Sequence, residues 1–286
     1  MSASRADKSA LGIIAGGGQL PSIVAEAAVA EGRPVFVIGI KGWSDTAITE
    51  FPHAWVRYGA LGKTIELLKQ AGCRDLVMIG PLDRPTLFNF RPDMTVLRSL
   101  VRVLGLLRRG DDGLLSGTVR YFEETHGFHI RPAEEVAAEL VAPAGSLTAT
   151  KPSLADETDI QLAVEIVRER GAKDLGQGAV IAGGQILDVE DNMGTDEMLS
   201  RVARLPARHG KSGVLVKLPK PGQERRIDLP TLGLTTVENA AAAGLAGIAY
   251  EASGALIANI AGVGRRADEL GLFVLGLPAG TGDGDT

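Results

Sequence analysis

Between Leu11 and Pro21 the chain reads LGIIAGGGQLP, a short apolar run that meets three consecutive glycines before Gln19, Leu20 and Pro21. An apolar run of this length that stops at glycine reads as a buried strand. Proline suits the first turn of a helix, where its missing N–H removes no intrahelical bond. A strand that turns straight into a helix is half of a βαβ unit, and such units build a parallel sheet covered by helices. The following text keeps the same rhythm. A helix is predicted over 21–31, a strand over 34–40, a helix over 63–71 and a third apolar strand (DLVMI) over 75–79, closed by Gly80 and Pro81. The first half is therefore expected to be a Rossmann-like α/β domain with a parallel sheet.

After Gly80 comes a stretch rich in Pro, Asp and Arg, then a predicted helix over 94–109, broken by Gly110 and Gly113, and a further helix to about residue 125. The small, turn-forming text APAGSLTATKP over 142–152 reads as a hinge. It sets a first domain over 1–145 and a second, distinct mixed α/β domain over 146–286. In the second domain Thr158 and Gln161 have capping-box spacing for a helix to about 170. GAVIAGGQILDVE reads as two strands about Gly183 and Gly184, a hairpin signal. A helix is predicted over 195–205, a strand over 213–218, and a helix capped by Thr235 with Glu238. GIAYEAS, ALIAN and LFVLGL supply further apolar strands, and the GTGDGDT tail reads as disordered.

Composition limits the function classes. Of 286 residues 45% are hydrophobic and 23% charged, enough to bury a core. The formal charge of −5 argues against a nucleic-acid partner, which would require a basic excess. The single cysteine, Cys73, forms no internal disulfide and fits a reducing compartment. The first ten residues lack the apolar core of a signal peptide. The Ala-rich stretch over 240–261 carries Glu251, Asn259 and several glycines and reads as packed helix and strands, so a cytoplasmic protein is expected.

Several motifs fail on inspection. A dinucleotide fingerprint needs a third glycine where Pro21 stands, and an acid at the end of the second strand, which reads VIGIKG. NAD is thereby disfavoured. Gly59-Ala60-Leu61-Gly62-Lys63-Thr64 tempts a phosphate-loop reading, but Arg57 stands where its first glycine belongs, and a helix start is the better reading. His126 and His129 have no further His or Cys at zinc spacing. For the glycine run two readings stand: backbone N–H groups at a helix N-terminus that receive a nucleotide or phosphate, and a tight turn that only packs.

Asp111 and Asp112 sit at a helix boundary, with a site role as the alternative. The helix over 94–109 sets Leu97, Leu100, Val101, Leu104 and Leu107 on one side and Arg98, Arg102 and Arg109 on another. It reads as an ordinary amphipathic helix, or as a basic surface against anionic lipid. Two segments of the second half ask for more than scaffolding. VEDNMGTDEML gathers Glu190, Asp191, Asp196 and Glu197, although acids also suit the first turn of a helix. VKLPKPGQERRIDLPTLGLTT gathers Lys217, Lys220, Gln223, Glu224, Arg225, Arg226 and Asp228 in one long loop after a strand. Cations there would neutralise a diphosphate, and carboxylates would hold Mg²⁺ and orient water.

On IAGGGQLP, the GDDGLL over 110–115, VEDNMGTDEM and KLPKPGQERRIDLPTLGLTTVENAAAAGLAG, the chain resembles the LpxI-type UDP-2,3-diacylglucosamine pyrophosphatases of lipid A synthesis. The likeness runs over almost the whole chain. It implies hydrolysis of UDP-2,3-diacylglucosamine to UMP and 2,3-diacylglucosamine 1-phosphate (lipid X) with Mg²⁺ or Mn²⁺, in a substrate cleft between two domains. Carried onto these residues, Asp228 becomes the leading catalytic acid and Asp196 its metal-binding or water-positioning partner, with Glu190 a further candidate ligand. Substrate contacts are expected from Gly16, Gly17, Gly18, Gln19, Asp112, Lys217, Lys220, Gln223, Arg226 and Thr235, the glycines receiving the UDP part. A homodimer and peripheral contact with the inner membrane are the accompanying expectations. The competing class is a UDP-sugar-binding regulator or a sugar nucleotidyltransferase.

Overall fold

A computed structural model describes residues 9–82, 110–206 and 210–281. The amphipathic helix expected over 94–109 and most of the polar tail lie outside the described residues. The chain divides into two compact units: one runs to Ala138 and also takes in Glu224–Asp228, and the other comprises Glu139–Gln223 and the chain from Leu229 onward.

In the first unit, β1 (Leu11–Ala15), β2 (Val35–Ile40), β3 (His53–Val56), β4 (Asp75–Ile79) and β5 (His129–Ile130) form a sheet in the order β3-β2-β1-β4-β5. Every pairing in it is parallel. The helices α1 (Leu20–Ala30), α2 (Leu61–Gln70) and α3 (Gly110–Arg120) accompany it. The Rossmann-like expectation is met. Leu11, Ile13 and Ala15 are fully buried, as a central parallel strand covered on both faces requires. Gly113 does not break α3, which runs on into a π-helical turn over Tyr121–Thr125. β3, only four residues long, has no counterpart among the expected strands.

Strand order reverses between β1 and β4, so their carboxyl ends flank the topological switch point of the sheet. The glycine run lies there. Gly16 N–H donates to the Ile79 carbonyl and Gly17 N–H to that of Pro81, both at 2.8 Å. A Cβ on Gly16 would overlap the Gly80 backbone, and Gly80 itself has φ +99°. Two backbones meet here with no room for a side chain on either.

In the second unit a six-stranded sheet has the order β6-β13-β11-β9-β7-β8. Its strands are β6 (Gly145–Ser146), β7 (Gly178–Ala182), β8 (Gln185–Val189), β9 (Val214–Lys217), β11 (Gly247–Glu251) and β13 (Phe273–Leu277). β9, β11 and β13 are parallel, whereas β6 and β7 run against their neighbours. A small ladder joins β10 (Thr231–Leu232) to β12 (Leu256–Ile257). The helices are α4 (Leu154–Gly171), α5 (Gly194–Ala203), α6 (Leu234–Ala242) and α7 (Ile260–Glu269). The core fills both faces: Leu215, Ile248 and Val274 pack with α5–α7 residues such as Leu199 and Val263, and Val214, Val216 and Phe273 pack with Ile160 and Val167 of α4. This is the mixed α/β unit expected. Among the described residues no helix is long and apolar enough to cross a membrane.

Two helix starts differ from the sequence reading. α4 begins four residues before Thr158, after a capping box of Ser153 with Asp156, while the Thr158 hydroxyl donates back to the Leu154 carbonyl within the helix. α6 is preceded by Gly233 in extended conformation, which places Thr235 inside the first turn.

The β7–β8 hairpin turns on Gly183 and Gly184, with φ +58° and +73°, the left-handed pair that a two-residue turn needs. The buried Asp159 carboxylate of α4 accepts both their N–H groups, at 2.8 and 2.7 Å. Asp159→Ala is expected to lower unfolding free energy by about 2–3 kcal/mol in urea titrations, since hydrogen bonds to a charged acceptor are lost and two donors are stranded. A loss under about 0.5 kcal/mol would contradict the clamp. Gly16→Ala should likewise cost about 2 kcal/mol or more through backbone overlap. Gly18→Ala, with φ +74° but open space around it, should cost only about 1 kcal/mol. The reverse ranking would place the tight contact elsewhere.

Candidate functional site

In the first unit the glycine loop divides into two parts. Gly16 and Gly17 spend their N–H groups on the end of β4. Gly18 and Gln19 are exposed, and Gln19 stands at the N-cap of α1 without a side-chain cap to its N–H groups. The first turn of a helix has N–H groups with no intrahelical acceptor, and the helix dipole makes that end favour anions. In that turn the Ser22 hydroxyl is buried and has no partner among the described residues. Packing thus fixes Gly16 and Gly17, while Gly18 is left exposed before α1.

Two aromatic residues at the same edge escaped the sequence reading. Trp43 follows β2 and Tyr58 follows β3, and their rings lie 6.3 Å apart at 55°. The Trp43 carbonyl is 3.2 Å from where a Cβ of Gly17 would stand. Burial pushes the Tyr58 phenol pKa up. The available signal was position, a scarce aromatic two or three residues after each of two strands. Asp112 falls in the first turn of α3.

Asp228 also belongs to the first unit, on the Glu224–Asp228 segment. That segment is one tight turn, in which the Ile227 and Asp228 N–H groups both donate to the Glu224 carbonyl at 3.1 Å. Arg226 at its centre is held on three sides. Its Nε and Nη2 donate to the two oxygens of Glu224 at 2.8 Å each, and its Nη1 donates to Glu123 Oε1 at 2.8 Å. This fork holds the Glu224 carboxyl below its usual pKa and raises that of the Arg226 guanidinium. Ile227 packs on the apolar cluster of Phe122, Phe128 and Ile130.

In the second unit the carboxyl edge of the sheet collects the other polar residues. β7 is antiparallel to β9, and β8 antiparallel to β7, so β8 ends at the same edge as β9. Glu190, one residue past β8, donates its N–H to the Gly178 carbonyl at 2.8 Å, and Gly178 stands opposite Lys217 in the ladder. Glu190 and Lys217 therefore lie at the same edge of the sheet with Gly178 of β7 between them, and both are buried. The Glu190 carboxylate accepts the Thr195 hydroxyl at 2.9 Å. The Lys217 ammonium donates to the Thr231 carbonyl at 3.1 Å and meets no carboxylate among the described residues. Glu251, 1% exposed, ends the neighbouring strand β11.

Lys220 and Gln223 are buried in the turn beyond β9. The Gln223 side-chain oxygen accepts the Lys220 N–H at 2.7 Å, and the Lys220 ammonium is 2.6 Å from Asp174. Asp196 is exposed in the first turn of α5, and its Oδ1 accepts from Asn239 of α6 at 2.9 Å. Thr235 lies one helical turn before Asn239, on the same face of α6. Asp196 and Thr235 are thus on two helices joined by one hydrogen bond, while Asp228 is grouped with the other unit.

No group of three or more His, Cys, Asp or Glu side chains among the described residues converges as a metal cage. The donor chemistry present is hard carboxylate oxygen, which fits a cation that takes most of its ligands from water and a bound diphosphate. A soft-metal site does not fit, since the single cysteine is buried and its thiol pKa is pushed up to about 11 by burial.

Comparison with known proteins places both units. Residues 10–140 match the LpxI N-terminal domain, and residues 143–275 match the LpxI C-terminal domain. Over 272 residues the chain is 42% identical to the UDP-2,3-diacylglucosamine pyrophosphatase LpxI of Caulobacter vibrioides, an alignment covering 93% of this chain and 97% of that protein. With both domain models matched in order and a relative this similar over nearly its full length, the chain belongs to the LpxI family.

Proposed function

We infer that this chain hydrolyses the pyrophosphate bond of UDP-2,3-diacylglucosamine, releasing UMP and 2,3-diacylglucosamine 1-phosphate. The observation that carries the reading is the 42% identity to the Caulobacter pyrophosphatase across 97% of that protein. A nucleotide at the carboxyl edge of the first sheet accords with a crevice at a topological switch point, with Gly18 and Gln19 toward its phosphates. Release of UMP from UDP-2,3-diacylglucosamine separates this reading from its rivals. A nucleotidyltransferase would need a nucleoside triphosphate or pyrophosphate, and a regulator would release nothing.

The roles follow from charge. Asp228 supplies the carboxylate at the reacting phosphorus, where it orients the attacking water or takes its proton. Lys217, buried at the end of β9, donates to the Thr231 carbonyl and meets no carboxylate among the described residues, so an incoming phosphate oxygen would complete its neutralisation. Mg²⁺ or Mn²⁺, when bound, would supply hard positive charge to the diphosphate oxygens, with its protein ligands proposed from among Asp228, Asp196 and Glu190. A diacylated substrate resides at a lipid surface, so the enzyme is placed in the cytoplasm, in peripheral contact with the inner membrane.

Asp228→Ala is expected to lower kcat by about 10³-fold, the scale of a lost catalytic charge, while calorimetry still detects binding of intact substrate. A folded variant within tenfold of wild type would move the chemistry to Asp196 or Glu190. Chelation by EDTA should abolish UMP release, and Mg²⁺ or Mn²⁺ should restore it. Full turnover after exhaustive chelation would defeat the metal role.

A further inference from the structure

The chain contributes to the first unit twice, once as its N-terminal portion and once as the five residues Glu224–Asp228, which arrive from the middle of the second half. Five residues are too few to hold a place by themselves. Among the described contacts, one guanidinium and one apolar side chain help to seat them. Arg226 takes both oxygens of Glu224 within the segment and Glu123 from a residue 103 positions earlier. Ile227 adds its side chain to the cluster around Phe122, Phe128 and Ile130.

Glu123 is itself fixed. It lies on the π-helical turn Tyr121–Thr125, a local departure from α geometry that recurs at functional sites. Its Oε1 also accepts the Ile130 N–H of β5 at 3.2 Å, so the sheet and the guanidinium converge on one carboxylate oxygen. A bidentate fork constrains direction as well as distance, which a lysine in the same place would not do. With three of its nitrogens committed to carboxylates, Arg226 has a structural reason for its charge that needs no ligand.

We propose that Arg226 and Glu123 are positioning residues for Asp228: the Glu123–Arg226–Glu224 fork pins the turn to the first unit and thereby aims the Asp228 carboxylate. Arg226 then acts through the backbone and makes no substrate contact. Asp228 is two residues from Arg226, and its N–H closes the turn on the Glu224 carbonyl, the same residue whose carboxylate the fork grips. Rotation of the turn would move Asp228 with it. The proposal rests on the reading of Asp228 as catalytic.

The test is steady-state kinetics on the full chain with UDP-2,3-diacylglucosamine. Arg226→Ala should lower kcat by about 10²-fold, the cost of misplacing a catalytic group by about 1 Å, with KM within about threefold of wild type. Added guanidinium ion should recover at least part of that kcat, because it can refill the fork. Arg226→Lys should remain impaired, since an ammonium lacks the fork geometry. Glu123→Gln should lower kcat by about tenfold, with KM unchanged, and it serves as the readout if Arg226→Ala does not fold. In an Asp228→Ala background neither the Arg226 substitution nor guanidinium should have any further effect. A raised KM with unchanged kcat would make Arg226 a substrate ligand and overturn the proposal, as would wild-type kcat in both Arg226→Ala and Glu123→Gln. An active Asp228→Ala enzyme would instead overturn the underlying catalytic reading, whatever Arg226 does.

Discussion

Strand direction is the constraint on which the candidate site depends. A parallel ladder ends all its strands at one edge, and the loops that leave that edge are close neighbours whatever their distance in sequence. In the first sheet β1 pairs with β2 and β4 in register, so Ala15, Gly39 and Ile79 finish level, and the glycine loop comes to lie beside Gly80 and Pro81. The second sheet reaches the same result with a reversal. β7 runs backward and β8 runs forward again, so Glu190 after β8 comes to the edge where Lys217 ends β9 and Glu251 ends β11. A slip of one residue between β7 and β9 would turn these groups to the opposite face and bury the wrong set.

Such an edge is stable only where buried polar groups find partners. Glu190, Lys217 and Lys220 are all nearly removed from water, and an unpaired charge in that position would cost several kcal/mol. Each is answered locally: Glu190 by the Thr195 hydroxyl, Lys217 by the Thr231 carbonyl, and Lys220 by Asp174. The absence of side chains is also used. A Cβ on Gly178 would press on the Glu190 carboxylate, and one on Gly254 would press on that of Glu251. Small residues at these points let charged side chains lie flat against backbone.

Much of the fold was legible because the signals were local. Short apolar runs stopped by glycine or proline gave β1, β2, β4, β7 and β9 nearly to the residue, and the paired glycines gave the hairpin. At the start of α4 two equivalent local signals competed. Ser153 and Thr158 both have an acid or amide three residues on, but the reciprocal capping box forms at Ser153 with Asp156, so Thr158 is left inside the helix. At the site the legible part was residue type and segment: the loop after β9 does carry buried cations and Asp228. The attachment of Glu224–Asp228 to the first unit was not legible, since it depends on Arg226 finding Glu123 across 103 positions and on Ile227 finding the right apolar cluster. Nor could sequence assign separate duties to adjacent glycines, because Gly16 is fixed by a neighbour, Gly80, that is 64 positions away.

Counting charges in the loop after β9 overstates what a ligand would meet. Lys217, Lys220, Arg225 and Arg226 stand among Glu224 and Asp228, and a string of that kind reads as a cationic bed for a diphosphate. Folding changes the sum. Arg226 is committed to two carboxylates and Lys220 to a third, so both are close to neutral as seen from a distance, and pairs of this kind do more for geometry than for field. Lys217 differs, because a carbonyl dipole only partly offsets its charge. Its ammonium is held at a defined point, on a strand end that cannot shift without breaking the ladder to Gly178 and Tyr250. A fixed, incompletely neutralised cation is the arrangement that gains most from an arriving phosphate oxygen, since the protein has already met the cost of ordering and desolvating it. Charge in this segment therefore builds scaffold through Arg226 and Lys220, while Lys217 keeps a fixed and only partly offset charge at the end of a strand.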